Sequence, residues 1–495
     1  MTFSILNVSR TMNTILDSTA YHVFDYRGSK LLFDVGTTAV CEINEFTYRL
    51  LTLAGIYDWD ETMVRLQKEF PNATLARLSE CFDMFKRNGL FLAGSDTVQT
   101  SSEVLNSLWR HTPRRLQLFV AQQCNLRCKY CYGENNSSNV KKKLMTVEVA
   151  KQAVDYLVSK SGKRRELQIT FFGGEPTLNF KIIKEVVAYC RELEIQTNKH
   201  FLFELITNGT LLNRYRCDYL LDNKFLLFVS IDGCREMNNA QRPSVNGIDY
   251  YDVITKSALY LINESRRRKS KYAVKIRANL TAQQPNIFPV VECLEAFGSK
   301  LIGIGSIAPL SWAPDETPMS MTEAQLNKLS DDMETMVIDV LNKKKEGKNA
   351  GVYANRLFTK IVRDNLKIRS TLGVTCGIGR NTNAVDCDGN IYPCHRYVGL
   401  DAYIIGNIYS GLDKQKTMGL YRSYFQNAKT QCSECWARKL CAGGCPWEIS
   451  SPDGRICKRN RSDCERRLKG IERSLWLRKE IKKCMPCYFL GSEQT

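Results

Sequence analysis

Six strongly apolar runs, separated by segments with helical periodicity, dominate the middle of the chain. A strand covered on both faces reads as a nearly continuous apolar run, whereas a surface helix repeats its apolar residues every three or four positions. The apolar runs are residues 116–121, 167–172, 201–206, 226–231, 274–280 and 301–307. The helical patterns between them are residues 147–159, 181–193, 214–222, 251–265 and 287–297. This alternation predicts an α/β fold in which a parallel sheet curves into a partial (β/α)6 barrel over residues 114–310.

Shorter elements are predicted before this barrel. Residues 21–24 and 30–35 alternate as strands around a turn at Arg27-Gly28-Ser29. A helical pattern then begins at Glu45, and two more amphipathic patterns cover residues 61–70 and 74–88, with Gly89 as the stop signal. Residues 90–92 read as a short returning strand. This order predicts a small separate domain at residues 1–95, followed by a polar, Ser/Thr-rich linker at residues 96–113.

The region after the barrel divides into two parts. Residues 311–370 are predicted to form a charged helical bridge, with helices over 319–345 and 353–366, and they carry no recognisable chemistry. Residues 371–495 are rich in cysteine. Within them, residues 388–394 predict a β-hairpin with Asp388-Gly389 at the turn.

Composition narrows the class of protein. The chain has 495 residues, of which twenty are cysteines, and fourteen of these lie within residues 124–131 or beyond residue 370. Such clustering favours metal binding over a disulfide framework. Residues 1–18 lack the features of a signal peptide, and no apolar stretch is long enough to span a membrane, so a cytoplasmic protein without membrane contact is expected. The net charge of +18 is scattered over short runs, which argues against nucleic acid as a partner.

The most informative stretch follows the first predicted barrel strand. Cys124, Cys128 and Cys131 form a C-x3-C-x2-C pattern. Three thiolates at this spacing can hold a cubane iron–sulfur cluster and leave one iron open to a ligand. A zinc site or three unpaired thiols are the alternatives, although structural zinc sites usually have four ligands in paired C-x2-C units. Active sites of α/β barrels lie at the carboxyl ends of the strands, where this motif falls.

Polar and glycine residues follow the next strands as well. The candidate ligand-binding residues are Gly173, Gly174 and Glu175 after the second strand, Asn208 after the third, Ser230 at the end of the fourth, Arg242 beyond it, and Tyr130 beside the cysteines. Glycines allow close approach of the backbone, a carboxylate can pair with an ammonium group, and an arginine fork suits a carboxylate. A tight turn at the Gly-Gly-Glu-Pro stretch, a surface salt bridge for Arg242 and core packing for Tyr130 are the alternatives.

The last region carries a second cysteine pattern. Cys376, Gly389 and Cys394 are spaced C-x12-G-x4-C, and the remaining members are Cys432, Cys435, Cys441, Cys445 and Cys464. Cys387 lies between the first two cysteines, and Cys457, Cys484 and Cys487 are surplus to the pattern. A zinc ribbon is the alternative to iron–sulfur clusters here.

The first cysteine motif, the Gly-Gly-Glu-Pro stretch and the polar residues after the strands resemble the radical S-adenosylmethionine (SAM) superfamily. The resemblance implies a 4Fe-4S cluster whose open iron chelates SAM, and reductive cleavage of SAM to a 5′-deoxyadenosyl radical. It also implies that Gly173, Gly174 and Glu175 hold the SAM amino group and that Ser230 and Arg242 contact its carboxylate. Asn208 would lie near SAM, and Tyr130 would pack on adenine. Relatives often carry His-Asp shortly before the arginine, whereas this chain has Asn238-Asn239, so no catalytic acid or base is assigned.

The second cysteine pattern resembles the SPASM domain of radical SAM enzymes that act on peptides. That resemblance implies two auxiliary iron–sulfur clusters of the 4Fe-4S type. The first would be bound by Cys376, Cys394 and Cys445, with either Cys387 or an open iron at the fourth position. The second would be bound by Cys432, Cys435, Cys441 and Cys464.

Residues 1–95 resemble the winged-helix, PqqD-like element that recognises the leader of a ribosomally made peptide by adding it as a strand. A generic small helical domain is the alternative. The whole chain thus resembles a thioether-forming peptide maturase of the sactipeptide or ranthipeptide type, which implies a precursor peptide and an electron donor of the flavodoxin or ferredoxin type. A carbon–carbon or ether cross-linking cyclase and an anaerobic sulfatase-maturing enzyme remain alternatives. An RNA-modifying enzyme and a non-catalytic zinc-ribbon scaffold are less well supported hypotheses.

The cysteine patterns make a quantitative prediction. Protein reconstituted without oxygen should contain about twelve irons per chain, because three cubane clusters are expected, and the Cys124→Ala/Cys128→Ala/Cys131→Ala variant should contain about eight. Iron and sulfide analysis measures both values. Zinc in place of iron, or about four irons that the triple variant loses completely, would contradict the auxiliary clusters.

Overall fold

The computed structural model describes residues 19–88, 90, 112–135, 143–272, 274–313, 315, 317, 319–363, 366, 368, 376–379 and 381–484. Most of the predicted linker, the predicted strand residues 91–92 and Cys487 therefore lie outside the described residues. No helix in the described part of the chain has the length and apolarity that a membrane span requires.

The first unit is a three-stranded antiparallel sheet followed by three helices. Its strands are β1 (Tyr21–Tyr26), β2 (Ser29–Asp34) and β3 (Val40–Glu42), and its helices are α1 (Glu45–Ala54), α2 (Trp59–Glu69) and α3 (Leu75–Arg87). Arg27 and Gly28 join β1 to β2 with φ angles of 53° and 75°, because a tight two-residue hairpin of this kind needs positive φ at both central residues. The prediction missed β3, a strand of only three residues.

The six barrel strands lie in one sheet, in chain order and parallel to one another. They are β4 (Arg115–Ala121), β5 (Glu166–Gly173), β6 (His200–Thr207), β7 (Leu226–Ser230), β8 (Val274–Leu280) and β9 (Leu301–Ser306). The α/β fold class and the partial barrel are confirmed, and each predicted strand ends within one residue of the observed bounds.

Helices separate these strands along the chain. They are α4 (Tyr132–Asn135), α5 (Val147–Lys160), α6 (Phe180–Gln196), α7 (Arg214–Asp222), α8 (Arg235–Gln241), α9 (Tyr251–Arg267) and α10 (Ile287–Glu295). All five predicted barrel helices are present. The short helices α4 and α8 were not predicted, since segments of four and seven residues show too little periodicity.

The bridge contains the two expected helices, α11 (Glu323–Lys345) and α12 (Val352–Arg363). Both are shorter than the sequence pattern suggested. Thr322 caps α11 through a reciprocal pair of hydrogen bonds with Gln325, which fixes the start of the helix four residues later than predicted.

The cysteine-rich region extends the barrel sheet instead of forming a separate sheet. Its strands are β10 (Thr382–Val385), β11 (Asn390–Tyr392), β12 (Gly406–Asn407) and β13 (Gly411–Leu412), and its helices are α13 (Lys414–Cys432), α14 (Arg438–Cys441) and α15 (Arg461–Cys484). Strand β10 pairs in parallel with β4, so that Thr382 lies opposite Arg115. The predicted hairpin is present as β10 and β11, with Gly389 at a φ of 82°.

The first unit packs against the cysteine-rich region. The His22 ring stacks on the Trp436 ring at 4.0 Å, and the His22 imidazole lies 2.7 Å from the Glu472 carboxylate of α15. Lys479 of α15 pairs with Glu42 of β3 at 2.8 Å. The sheet of the first unit is therefore held against α15, the helix that begins just before Cys464.

The outer side of the barrel sheet is packed with aromatic rings, which gives a stability prediction. Phe171 is fully buried and packs against the rings of Phe203 and Phe225, which also stack on each other. Phe171→Ala should lower the free energy of unfolding by about 3–5 kcal/mol, because it removes apolar contact and leaves a cavity. Ile195 is 88% exposed, so Ile195→Ala should change that free energy by less than about 0.5 kcal/mol. Urea unfolding followed by circular dichroism measures both, and equal effects would contradict the packing described.

Candidate active site

The first cysteine motif forms a loop after β4 that is fastened to the segment around Arg242. The backbone N–H of Arg127 donates to the Pro243 carbonyl at 2.7 Å, and that of Lys129 donates to the Gln241 carbonyl at 2.9 Å. A third hydrogen bond runs in the opposite direction, from the Val245 N–H to the Asn125 carbonyl at 3.1 Å. Three backbone hydrogen bonds therefore join the cysteine loop to the Arg242 segment.

The three thiols of this loop lie together. Burial, with smaller contributions from Glu175, Cys128 and Cys131, raises the pKa of Cys124 to about 12. The Cys124 sulfur accepts the Leu126 N–H at 3.4 Å, and the side-chain amide of Asn208 lies 3.7 Å away. Donors directed at a thiolate are a recognised means of tuning an iron–sulfur cluster.

Gly173 and Gly174 allow β5 to end against this loop. A Cβ atom on Gly173 would lie 2.0 Å from the Ala121 carbonyl oxygen, and the φ of Gly173 is 133°. A Cβ atom on Gly174 would lie 2.4 Å from the Gln123 carbonyl oxygen and 3.0 Å from the Cys124 Cβ. Any side chain at either position would push the strand end away from the cysteine loop.

Glu175 connects the ends of two barrel strands. Its carboxyl group is fully buried and accepts four hydrogen bonds: from the Thr177 N–H at 2.9 Å, the Thr177 hydroxyl at 2.5 Å, the Thr207 hydroxyl at 2.7 Å and the Asn208 N–H at 2.7 Å. Burial raises the pKa of this carboxyl group, and the four donors act in the opposite direction. A ligand ammonium group would compete with donors that the carboxyl group already has.

Arg242 is buried beside a Tyr–Asp pair. The Tyr130 hydroxyl donates to the Asp232 carboxylate at 2.5 Å and accepts from the Arg242 guanidinium at 2.9 Å. The Arg242 Nε is a buried donor without a partner among the described residues. The alternative of a surface salt bridge for Arg242 is therefore wrong. Sequence reasoning did not single out Asp232, although an acidic residue directly after a barrel strand was a usable signal.

Arg242 also contributes to the lining of a cleft. This cleft has a volume of about 180 Å³ and is lined by Leu126 of the cysteine loop, Asn238, Arg242 and Tyr250 among others. Ser230 ends β7 and lies opposite Arg277 in the sheet register. A carboxylate placed here would satisfy the Arg242 fork, so the residues present fit a ligand of the SAM type.

The cysteines of the last region form two further groups. Burial, with smaller contributions from the nearby Cys445 and Cys376, raises the pKa of Cys394 to about 12. In the same way, burial together with the nearby Cys435, Cys441 and Cys464 raises the pKa of Cys432 to about 12. Each group contains the residues that the sequence pattern assigned to it, with the exception of Cys387.

Cys387 lies apart from the Cys394 group. Its thiol donates to the Phe119 carbonyl at 3.1 Å and lies 3.6 Å from the Lys143 carbonyl. Burial raises the pKa of this thiol to about 12, and the next largest effect comes from Asp386 rather than from another cysteine. Because β10 pairs with β4, Cys387, two residues beyond the end of β10, lies beside the backbone of β4. The structure thus disfavours Cys387 as the fourth ligand.

Other cysteines lie outside these three groups. Cys234 and Cys293 form a disulfide that connects the start of α8 to α10, which the sequence analysis did not predict. Cys457 is half-buried and Cys484 is exposed. Among the described residues, no three His, Cys, Asp or Glu side chains converge closely enough to bind a single metal ion.

Comparison with known proteins places the barrel region in a known superfamily. The sequence profile of the radical SAM superfamily matches residues 118–270. The chain is 30% identical over 242 residues to the uncharacterized protein MJ0907 of Methanocaldococcus jannaschii, an alignment that covers 49% of this chain and 79% of that protein. It is 26% identical to a cysteine-type anaerobic sulfatase-maturating enzyme of Clostridium perfringens, over 65% of this chain and 85% of the relative.

Solved structures agree on the fold. The structure of native anSMEcpe with bound AdoMet and Cp18Cys peptide superposes with a TM-score of 0.58 at 22% identity, covering 75% of this chain and 99% of that one. The protein therefore belongs to the radical SAM superfamily. It is an enzyme, and membership implies a 4Fe-4S cluster and SAM as cofactors.

The position of Cys387 leads to a paired prediction. Cys387→Ala should leave the iron content of reconstituted protein unchanged, because this thiol contacts backbone carbonyls and no other thiol. Cys394→Ala should lower it by about four irons per chain, because it removes one of three thiolates that would hold a cluster. Iron and sulfide analysis on both variants checks this, and an equal loss in the two variants would return Cys387 to the ligand set.

Proposed function

We propose that this enzyme modifies a ribosomally synthesised peptide and forms thioether links between cysteine sulfurs and carbon atoms of the same peptide. The observation that carries the proposal is the arrangement of the thiols in three groups. One group lies at the carboxyl ends of the barrel strands, and the other two lie in the region that extends the barrel sheet. A single-electron reaction needs a route for the electron that remains after bond formation, and groups of cysteines beyond the SAM site can supply one.

The Cys394 group supports thioether chemistry in particular. Cys376, Cys394 and Cys445 are three thiols, and the Cys387 thiol is engaged with the backbone of β4. A cubane held by three thiolates has one iron free for an external ligand. That position suits the thiolate of a substrate cysteine. A zinc ribbon fits less well, because zinc gathers four ligands at about 2.0–2.3 Å around one ion.

When bound, the clusters and SAM supply a 5′-deoxyadenosyl radical and an acceptor for one electron. Forming the thioether removes two hydrogens from the peptide: one leaves a carbon as a hydrogen atom, and the other leaves the sulfur as a proton. Clusters held by the cysteine-rich region would accept the electron left over and pass it to an external carrier of the flavodoxin or ferredoxin type. Arg242 would bind the SAM carboxylate, and Tyr130, which accepts a hydrogen bond from the guanidinium and donates one to Asp232, holds Arg242 in place.

The first unit supports a peptide as the substrate. Its sheet has the order β1-β2-β3, so β1 and β3 are its edges, and an extended peptide can pair with such an edge. The same sheet packs on α15, which continues from Cys464. A leader bound on this unit would be anchored next to the cysteine-rich region. The relative anSMEcpe, which binds the Cp18Cys peptide, shares the barrel fold.

Sulfatase maturation is the second candidate, because the curated relatives include both cysteine-type and serine-type anaerobic sulfatase-maturating enzymes. That reaction oxidises one Cys or Ser to formylglycine. The products differ in a measurable way. A thioether retains the cysteine sulfur and lowers the peptide mass by two hydrogens, whereas formylglycine made from cysteine lacks sulfur and carries an aldehyde.

The experiment follows from this difference. Reconstituted enzyme, SAM and a reductant are incubated with precursor peptides encoded by small Cys-rich reading frames beside the gene. Mass spectrometry should show loss of two hydrogens per cysteine, blocked alkylation of that cysteine and one 5′-deoxyadenosine per link. The triple variant of Cys124, Cys128 and Cys131 should give no product.

A deletion of residues 1–95 provides the control for leader binding. The deleted enzyme should keep its iron but lose activity on the full precursor, since the leader has no edge strand to pair with. Full activity of the deletion variant, or an aldehyde product, would favour sulfatase maturation and contradict the proposal.

A further inference from the structure

Strand β8 presents two cations on the inner side of the barrel. Alternate residues from Val274 to Leu280 are buried against the outer helices, so Lys275 and Arg277 project from the opposite face. In the sheet register, Phe228 lies opposite Lys275 and Gly303 lies opposite Arg277. We refer to Lys275 and Arg277 together as the inner cation pair.

Neither side chain of the inner cation pair has an anionic partner. The Lys275 ammonium lies 4.9 Å from the centre of the Phe228 ring, and a Cβ on Gly303 would lie 2.8 Å from the Lys275 Cε. Gly303 thus leaves the space that the lysine occupies. Within the part of the chain that the structure describes, the side chains of Lys275 and Arg277 make no hydrogen bond or ion pair. Charges placed in a partly buried site without partners are costly unless a ligand compensates them.

The surroundings add more positive charge. Burial, together with the nearby cations Arg356, Arg277 and Lys360, lowers the pKa of Lys275 to about 8. Glu204 acts in the opposite direction.

The Glu204 carboxylate is already engaged with its neighbours. It accepts hydrogen bonds from the Gln168 amide at 3.0 Å and from the Thr170 hydroxyl at 3.1 Å. Around Lys275, the nearby cations therefore outnumber the nearby carboxylates.

The location of Arg277 connects the pair to the reaction. Its guanidinium is close enough to lower the pKa of Asp232, which holds Tyr130 beside Arg242. It also acts on His395, the residue directly after Cys394. Strand β8 also contacts Asp232 directly, because the Asn279 N–H donates to the Asp232 carboxylate at 2.9 Å. Arg277 consequently lies within electrostatic range of both the Tyr130–Asp232 pair and the residue next to Cys394.

We propose that the inner cation pair binds a carboxylate of the peptide substrate and so selects peptides that carry an acidic group close to the modified residue. This inference rests on the proposed peptide substrate. Arg277 offers a planar fork that matches a carboxylate in two places, and Lys275 adds a point charge. The carboxylate belongs either to an Asp or Glu side chain or to the free C-terminus of the peptide, and the two sources can be separated by experiment.

Binding to the full-length, reconstituted enzyme with SAM tests the proposal. The probes are three synthetic pentapeptides that differ only in their carboxylate. They are acetyl-Gly-Cys-Gly-Asp-Gly-amide, the same peptide with Asn in place of Asp, and the Asn peptide with a free C-terminal carboxylate in place of the amide. Isothermal titration calorimetry should show about ten-fold tighter binding for one of the two carboxylate-bearing peptides than for the Asn amide, the scale of a charged hydrogen bond. Preference for the Asp peptide assigns the site to a side chain, and preference for the free C-terminus assigns it to the chain end.

Matched variants locate the effect. Lys275→Met should abolish the preference, and Lys275→Arg should retain it, because the second variant keeps the charge. Lys271→Met is the control, since the exposed Lys271 also lies over an aromatic ring, that of Tyr272 at 5.4 Å, but away from the barrel interior. Unchanged iron content in each variant verifies that it has folded.

Three results would overturn the proposal. They are equal binding of all three peptides to the wild type, a preference that survives Lys275→Met, and a loss of SAM affinity in Lys275→Met as large as the loss of peptide affinity. In the first two cases, thioether formation on a precursor would still occur, so failure of this inference is distinct from failure of the proposed function.

Discussion

The buried carboxyl group of Glu175 is the interaction on which the site depends most. It accepts two hydrogen bonds from Thr177 and one each from Thr207 and Asn208, which joins the ends of β5 and β6. A buried carboxyl group is tolerated because all of these donors converge on it. Asn208 in turn directs its side-chain amide at the Cys124 sulfur. The strand ends, the glycine pair and the cysteine loop are thus held in a single hydrogen-bonded unit.

The barrel could be predicted from sequence because its strands are covered on both faces and read as apolar runs, as in β5 and β6. The cysteine groups could be recognised because cysteine spacing is a local signal, and their role as ligands stays a prediction. The pairing of β10 with β4 could not be predicted, since the two strands are far apart in sequence and either one would be a plausible edge. That missed pairing explains why Cys387 looked like a candidate ligand: it is near Cys394 in sequence, but it follows β10 and its thiol contacts the backbone of β4. The role of Arg242 as a binding residue also stays a prediction, and the Asp232–Tyr130 pair beside it is visible only in three dimensions.

The basic residues of this chain differ in how far their charge is compensated by neighbouring groups. Most basic residues lie at the surface, where pairs such as Arg235 with Asp249 and Asp252 are exposed and contribute little to stability. Near the cysteine groups, Arg459 is buried and contacts Glu448, Asp463 and the Cys445 carbonyl, so its charge is fully compensated. Lys275 and Arg277 differ from both, because they are half-buried and their side chains make no hydrogen bond or ion pair with the residues that the structure describes. The overall charge of the chain gives no hint of this difference.

The parallel pairing of β10 with β4 makes the barrel and the cysteine-rich region one continuous ten-stranded sheet. Without β10, strand β4 would expose a row of unpaired backbone groups next to the loop that carries Cys124. Replacing either region alone with the corresponding region of a relative would therefore disrupt the pairing of β10 with β4. A chimaera would need a replacement for β10 whose register matches β4, and a shift by one residue would turn the side chains of β10 to the opposite face. The barrel and the cysteine-rich region are under a shared geometric constraint, and changes in either must accommodate the other.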